Sequence, residues 1–168
     1  MPGCKVIFLA MTMTRRSVLA LAATIAAPTR LLSTELPKIT VTKDPNCGCC
    51  TGWVEHLRKS GFAVETIDTA EINRVKGRLG IPNELWACHT GEGAGYVFER
   101  HVPAPAMLRF LAEKPPQAAG LSVPGMPANS PGMEAEGLDP EEYKVVLFGA
   151  GMQRTYARFK GAQELPRA

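Results

Sequence analysis

Apolar and polar residues come in short bursts along this chain, and the bursts differ in period. Ile39-Thr40-Val41-Thr42 is β-branched and predicts a strand. Asp44-Pro45-Asn46 is turn chemistry. From about Cys49 to Ser60 the period becomes helical, with Trp53, Val54 and Leu57 on one face and Gly61 as the stop. Phe62 to Ile67 alternates and predicts a second strand. Asp68 or Thr69 is placed to cap a second helix running to about Leu79, ended by Gly80. Leu85 to Thr90 and Gly95 to His101 predict two more strands, joined through the glycine-rich stretch from Gly91. Pro103 opens a third helix through Glu113, which buries Met107, Leu108, Phe110 and Leu111 and stops before Pro115-Pro116. A long Pro/Gly loop over about 117–140 follows. Tyr143 to Phe148 and Gln153 to Phe159 then predict a closing hairpin around Gly149-Ala150-Gly151. The order β-α-β-α-β-β-α with an added C-terminal hairpin predicts an α/β fold with a thioredoxin-like core.

The length of 168 residues suits one domain, and 45% AVILMFWYC with 21% charged residues excludes wholesale disorder. The charge is unevenly spread. Lys5, Arg15, Arg16 and Arg30 lie in residues 1–34, which hold no acid, so the remaining 134 residues are close to neutral. That removes the electrostatic footprint of a nucleic-acid binder. Thr14-Arg15-Arg16-Ser17-Val18-Leu19, the apolar stretch to Ala27 and the small residues before Pro28 have the order of an export signal. It resembles a twin-arginine signal. Residues 1–34 are therefore expected to be an address and residues 35–168 the working domain, periplasmic and without a membrane span once the signal is removed. Met11 or Met13 is a more natural start for such a signal, which would leave Cys4 outside the protein.

Chemistry concentrates in Cys47-Gly48-Cys49-Cys50, between a predicted strand and a predicted helix. A helix N-terminus presents unpaired N–H groups and partial positive charge, which favour thiolate over thiol. Cys88 is the fourth cysteine of the working domain. Three readings are open. The cysteines form structural disulfides, although three thiols within four residues pair poorly. They form a thiol–disulfide oxidoreductase, with Cys47 attacking and Cys50 resolving, in which the extra Cys49 invites wrong disulfides. Or they form a soft-metal site for Cu(I) or zinc, which clustered thiolates suit best.

These residues also carry a resemblance. Asp44-Pro45-Asn46-Cys47-Gly48-Cys49-Cys50 with Trp53 is one block, and Leu79-Gly80-Ile81-Pro82 through Ala87-Cys88-His89-Thr90 a second. Gly95-Tyr96-Val97 with His101-Val102-Pro103-Ala104 is a third, followed by Val123-Pro124-Gly125-Met126-Pro127 and Ser130-Pro131-Gly132-Met133-Glu134. Together, over about 38–160, they resemble the bacterial CopG-like copper-resistance family, long catalogued as a domain of unknown function. The resemblance implies a thioredoxin-like periplasmic protein. It implies copper held by Cys47, Cys49, Cys50 and Cys88 as a multinuclear thiolate-bridged cluster, with Cu(I)/Cu(II) redox activity suggested for the family. Copper ions are then the cargo, and a periplasmic copper donor or acceptor protein the partner. Arg100 departs from the expected pattern, which has Gly before His101; the departure is expected to alter the strand edge and not the ligand set.

The remaining soft or basic side chains divide by position. His89 follows Cys88, so a regular strand would turn the two to opposite faces; it is either an added ligand or a group that orients one. His56 lies six residues beyond Cys50 and reads as a solvated helix residue. His101, beside Val102-Pro103, is either a ligand or structural. Pro124-Gly125-Met126 and Pro131-Gly132-Met133 repeat at a seven-residue spacing. Met126 and Met133 thus offer soft thioethers from a loop that either covers the thiols or packs on the domain. The glycine-rich stretch from Gly91 opens no helix and is not a phosphate cradle.

Overall fold

A computed structural model describes residues 35–166. The expected export signal lies outside the described residues. Among the described residues, three α-helices pack with one eight-stranded sheet, so the α/β class is observed. The strands are β1 Ile39–Lys43, β2 Val64–Asp68, β3 His89–Gly93, β4 Tyr96–Glu99, β5 Gly120–Ser122, β6 Glu142–Gly149, β7 Met152–Lys160 and β8 Gln163–Glu164. The helices are α1 Gly48–Lys59, α2 Ile72–Arg78 and α3 Ala104–Glu113. The strand order is β2-β1-β3-β4-β5-β6-β7-β8. β1 and β2 are parallel, as are β4 and β5; the other neighbours are antiparallel.

Alternation along the strands sends side chains to opposite faces. Ile39, Val41, Phe98, Leu121, Val145 and Leu147 meet Trp53, Val54 and Leu57 of α1 and Met107 and Phe110 of α3. Val97 and Phe148, one residue out of phase, pack instead with Ile81 and Leu85 in a smaller cluster. α1 buries Cys50, Trp53, Val54 and Leu57, an i, i+3, i+4, i+7 stripe. The face that anchors α1 in the core thus also carries one of the cysteines.

Four expectations are corrected. Leu85 to Thr90 is not one strand: Asn83–Leu85 is a short 3-10 helix, and β3 begins only at His89. β3 instead takes in Gly91 and Gly93, which were expected to be linker. A Cβ on Gly91 would sit 3.0 Å from Trp53 Cη2, so the glycine lets the indole lie against the strand backbone. Neither Asp68 nor Thr69 is the N-cap of α2, which is Glu71, although Thr69 Oγ1 accepts from Glu71 N–H at 3.0 Å. Asp68 ends β2 and pairs with Lys43 at 2.9 Å, and α2 starts at Ile72. The Pro/Gly loop also contains β5, which joins the hairpin to the rest of the sheet, and β8 adds a short last strand.

This topology positions the site. β1 and β3 are antiparallel with Lys43 opposite His89. The end of β1, where the chain turns into the cysteine loop, therefore lies beside the start of β3, where Cys88 sits.

Candidate metal centre

Asp44 builds the turn that follows β1. Its Oδ1 accepts from Asn46 N–H at 2.8 Å, and its carbonyl accepts from Cys47 N–H at 3.2 Å. Its own N–H donates to Cys88 O at 2.9 Å, which ties the cysteine loop to the second segment. Cys47 is then the N-cap of α1, its Sγ accepting from Cys50 N–H at 3.3 Å. No acid occupies the first turn, so the positive end of the helix faces the sulfurs without competition.

The four sulfurs converge. Cys88 Sγ lies 3.2 Å from both Cys47 Sγ and Cys50 Sγ, and Cys49 Sγ lies 3.4 Å from Cys47 Sγ. All four Sγ atoms fall within 4.8 Å of one another. Cys50 is buried and the other three are partly open to solvent. Cys47 and Cys50 are joined as a disulfide, and Cys49 and Cys88 are free thiols. Burial first, and the neighbouring Cys49 second, push the Cys88 thiol above its ordinary range. Any metal that takes Cys88 as thiolate must displace that proton, so uptake is coupled to pH.

Side chains fix the segment that carries Cys88. The buried Lys76 of α2 pairs with the buried Glu99 at the end of β4. Glu99 Oε1 also accepts from Ala87 N–H at 2.9 Å, and Lys76 Nζ donates to His89 O at 2.7 Å. The pair thus grips the backbone on both sides of Cys88. Burial pushes Lys76 down and Glu99 up from their ordinary values.

His89 is fully buried. Its Nε2–H donates to Arg100 O at 2.8 Å, which leaves Nδ1 as the free lone pair, 3.9 Å from Cys88 Sγ. The ring stacks on Trp53, with centroids 4.6 Å apart, and meets His101 edge-on at 5.1 Å. Trp53 is itself held by its Nε1–H on Val102 O at 2.9 Å. His101 Nδ1–H donates to Pro131 O at 2.7 Å. His56 is not a solvated residue as expected. It is half-buried, and its Nε2 accepts from Ala104 N–H at 3.0 Å, capping α3, where Pro103 has no side chain to do so.

Burial lowers the pKa of all three histidines, and His89 is pushed down to about 3. The folded chain prefers neutral His89 while the unfolded chain protonates near 6.5. The stabilisation is complete above that value and is lost as pH falls toward 3. Chemical denaturation between pH 6 and pH 4 is expected to show a loss of about 2–3 kcal/mol from His89. His89→Gln, which gains no proton in this range, flattens that limb; an unchanged limb would show that His89 does not set it.

The two Pro-Gly-Met turns are held differently. Met133 N–H closes its turn on Ser130 O at 2.7 Å, with Gly132 at φ +84°. Gly132 lies on α1 so closely that a Cβ there would sit 2.3 Å from Trp53 N, and a Cβ on Gly52 would sit 2.9 Å from Gly132 O. Gly132→Ala combines that clash with a left-handed backbone. It is expected to cost at least about 1–2 kcal/mol and to lift the loop, seen as a lower thermal midpoint and faster proteolysis near residue 132. An unchanged midpoint would mean the loop does not seat on the helix. Met133 is partly buried and Met126 is 47% exposed.

Arg100 is more than an altered strand edge. It has φ +66°, the left-handed region that explains why glycine is expected there. Its guanidinium donates to Leu85 O at 3.2 Å, Trp86 O at 2.8 Å and Gly125 O at 3.1 Å. Sequence reasoning singled out the position without seeing its partners. It read Asp44 as turn chemistry, as the structure shows it, but missed Lys76 and Glu99 as supports of the cysteines.

The chain is similar to known proteins. A family model described as a protein of unknown function, DUF411, matches residues 85–133, which span Cys88, His89, His101 and both Pro-Gly-Met turns. Among curated proteins none matches. Two solved structures do, both named copper resistance protein CopG. Form 2 is 39% identical with a TM-score of 0.68, over 74% of this chain and 99% of that one. Form 1 has the same identity and TM-score, over 76% and 100%.

Proposed function

The chain belongs to the CopG-like copper-resistance family, and from that premise we propose that, once a dithiol reductant has opened the Cys47–Cys50 disulfide with two electrons, it holds Cu(I) on Cys47, Cys49, Cys50 and Cys88 as a multinuclear, thiolate-bridged cluster. The observation that carries this reading is the convergence of four sulfurs within 4.8 Å from two separate segments. Thiolates are soft donors that favour Cu(I), and a thiolate that bridges serves more than one ion. The helix N-terminus and the partial exposure of three of the cysteines support entry of metal and stabilisation of thiolates. His89 Nδ1 is the nearest nitrogen that this reading uses. Met126 and Met133 act as soft waystations for delivery.

The wider reading follows. The basic, acid-free segment 1–34 directs residues 35–168 to the periplasm by the twin-arginine route, where copper is taken from or passed to a protein partner. The order β2-β1-β3-β4, its first pair parallel and the next two antiparallel, supports a thioredoxin-like core. Electron exchange between Cu(I) and Cu(II) at the cluster is the redox part of the proposal.

The Cys47–Cys50 disulfide favours a second reading, dithiol exchange without stable metal. Cys49→Ser separates the two. It is expected to lower copper loading by more than about tenfold while leaving dithiol exchange through Cys47 and Cys50 intact. Full copper loading of that variant, measured by metal analysis after desalting, would contradict the cluster. Retention of a single zinc in place of copper would favour a structural zinc site.

A further inference from the structure

We propose that Arg100 is a positioning residue that locks the Pro124-Gly125-Met126 turn to the segment carrying Cys88, and so sets the rate at which copper passes between the exposed thioether and the cysteine sulfurs. The passage part of this rests on the copper-holding reading above; the lock itself does not. No electrons move in such a passage, since each copper–sulfur bond that forms replaces one that breaks.

Three observations carry the lock. Arg100 stands in a left-handed backbone conformation that suits glycine and disfavours arginine, so its side chain must offset a local disadvantage. That side chain saturates three main-chain carbonyls from two separate segments: Leu85 and Trp86, just before Cys88, and Gly125, next to Met126. The planar fork spreads its donors over three nitrogens, one for each carbonyl, whereas the three donors of an ammonium group radiate from a single atom. The contrast between the two Pro-Gly-Met turns completes the argument. The one at Met133 closes on its own backbone and seats on α1 through Gly132. The one at Met126 receives Arg100 on Gly125 O. The main chain of Arg100 meanwhile accepts from His89 Nε2, so one residue touches the Met126 turn, the run before Cys88 and the histidine after it.

The test uses the full chain with Arg100→Gly and Arg100→Lys. Glycine suits the backbone, so Arg100→Gly is expected to keep its thermal midpoint. Amide hydrogen exchange at Val123 and Ala128, the hydrogen-bonded amides on either side of the turn, is expected to rise by at least about tenfold in both metal-free variants, the scale of losing a charge-assisted hydrogen bond. Copper transfer from loaded protein to a soft Cu(I) chelator is expected to change by a similar factor, with copper per chain unchanged. Met126→Leu is then expected to alter transfer less in the Arg100→Gly background than alone. Unchanged exchange at Val123 and Ala128 would overturn the lock whatever the copper results. Raised exchange with wild-type transfer kinetics would overturn its link to copper passage. Wild-type behaviour of Arg100→Lys would overturn the need for a fork. A wild-type chain that retains no copper would overturn the passage, while hydrogen exchange would still decide the lock.

Discussion

Cys88→Ser is expected to weaken Cu(I) retention by more than about 100-fold. Replacing groups that merely support metal ligands costs about 10–100-fold in affinity, and Cys88 is argued to be a ligand itself. Its sulfur lies 3.2 Å from both Cys47 and Cys50, and it is the one cysteine of the cluster contributed by a second segment. Without it the remaining sulfurs belong to a single turn of chain and have no partner across the β1–β3 ladder. Serine is close in size and the position is partly open, so the fold is expected to survive. Competition titration against a Cu(I) chelator measures the effect. Affinity within a factor of a few of wild type would remove Cys88 from the site.

The largest stability effect is expected at Lys76. Lys76→Met leaves Glu99 buried without its cation, and breaking a buried pair from one side costs about 3–5 kcal/mol. The loss reaches the metal centre because Lys76 also holds His89 O, and its partner Glu99 holds Ala87 N–H. Denaturant unfolding of the metal-free chain checks the figure. Removing Glu99 as well, in Lys76→Met with Glu99→Leu, is expected to recover part of it, since no uncompensated charge stays buried. The recovery stays incomplete because the backbone of Ala87 and His89 still lacks its partners. A single variant as stable as wild type would mean the pair does not support the Cys88 segment.

What could be seen in advance, and what could not, follows from the range of each signal. Cys47 to Cys50 announce themselves because their chemistry is concentrated and the strand before them and helix after them are periodic. α1 and α3 fall close to where Trp53, Val54, Leu57, Met107 and Phe110 predict them. β5 escapes notice because three residues opening on Gly120 carry no period. β3 is misplaced by its glycines, whose reasons lie in Trp53 for Gly91 and Ile39 for Gly93, dozens of positions earlier. Lys76 on a short helix looks like a solvated cation; only Glu99, 23 residues away, makes its burial intelligible. His56 reads as exposed because the N–H it caps, Ala104, is 48 residues distant. Arg100 is visible as a departure from a pattern, but its meaning depends on three carbonyls that carry no residue identity. Local chemistry was legible in the sequence, and the supports of that chemistry, which are long-range contacts, were not.

The central claim is that the four sulfurs form one copper-binding unit, and counting metal on the chain tests it most directly. The chain is reduced without oxygen, loaded with Cu(I), desalted and weighed by native mass spectrometry, with zinc loaded in parallel. The account predicts more than one copper ion retained per chain and little zinc. A single zinc with little copper, or no retained metal alongside a reversible two-electron disulfide, would contradict it.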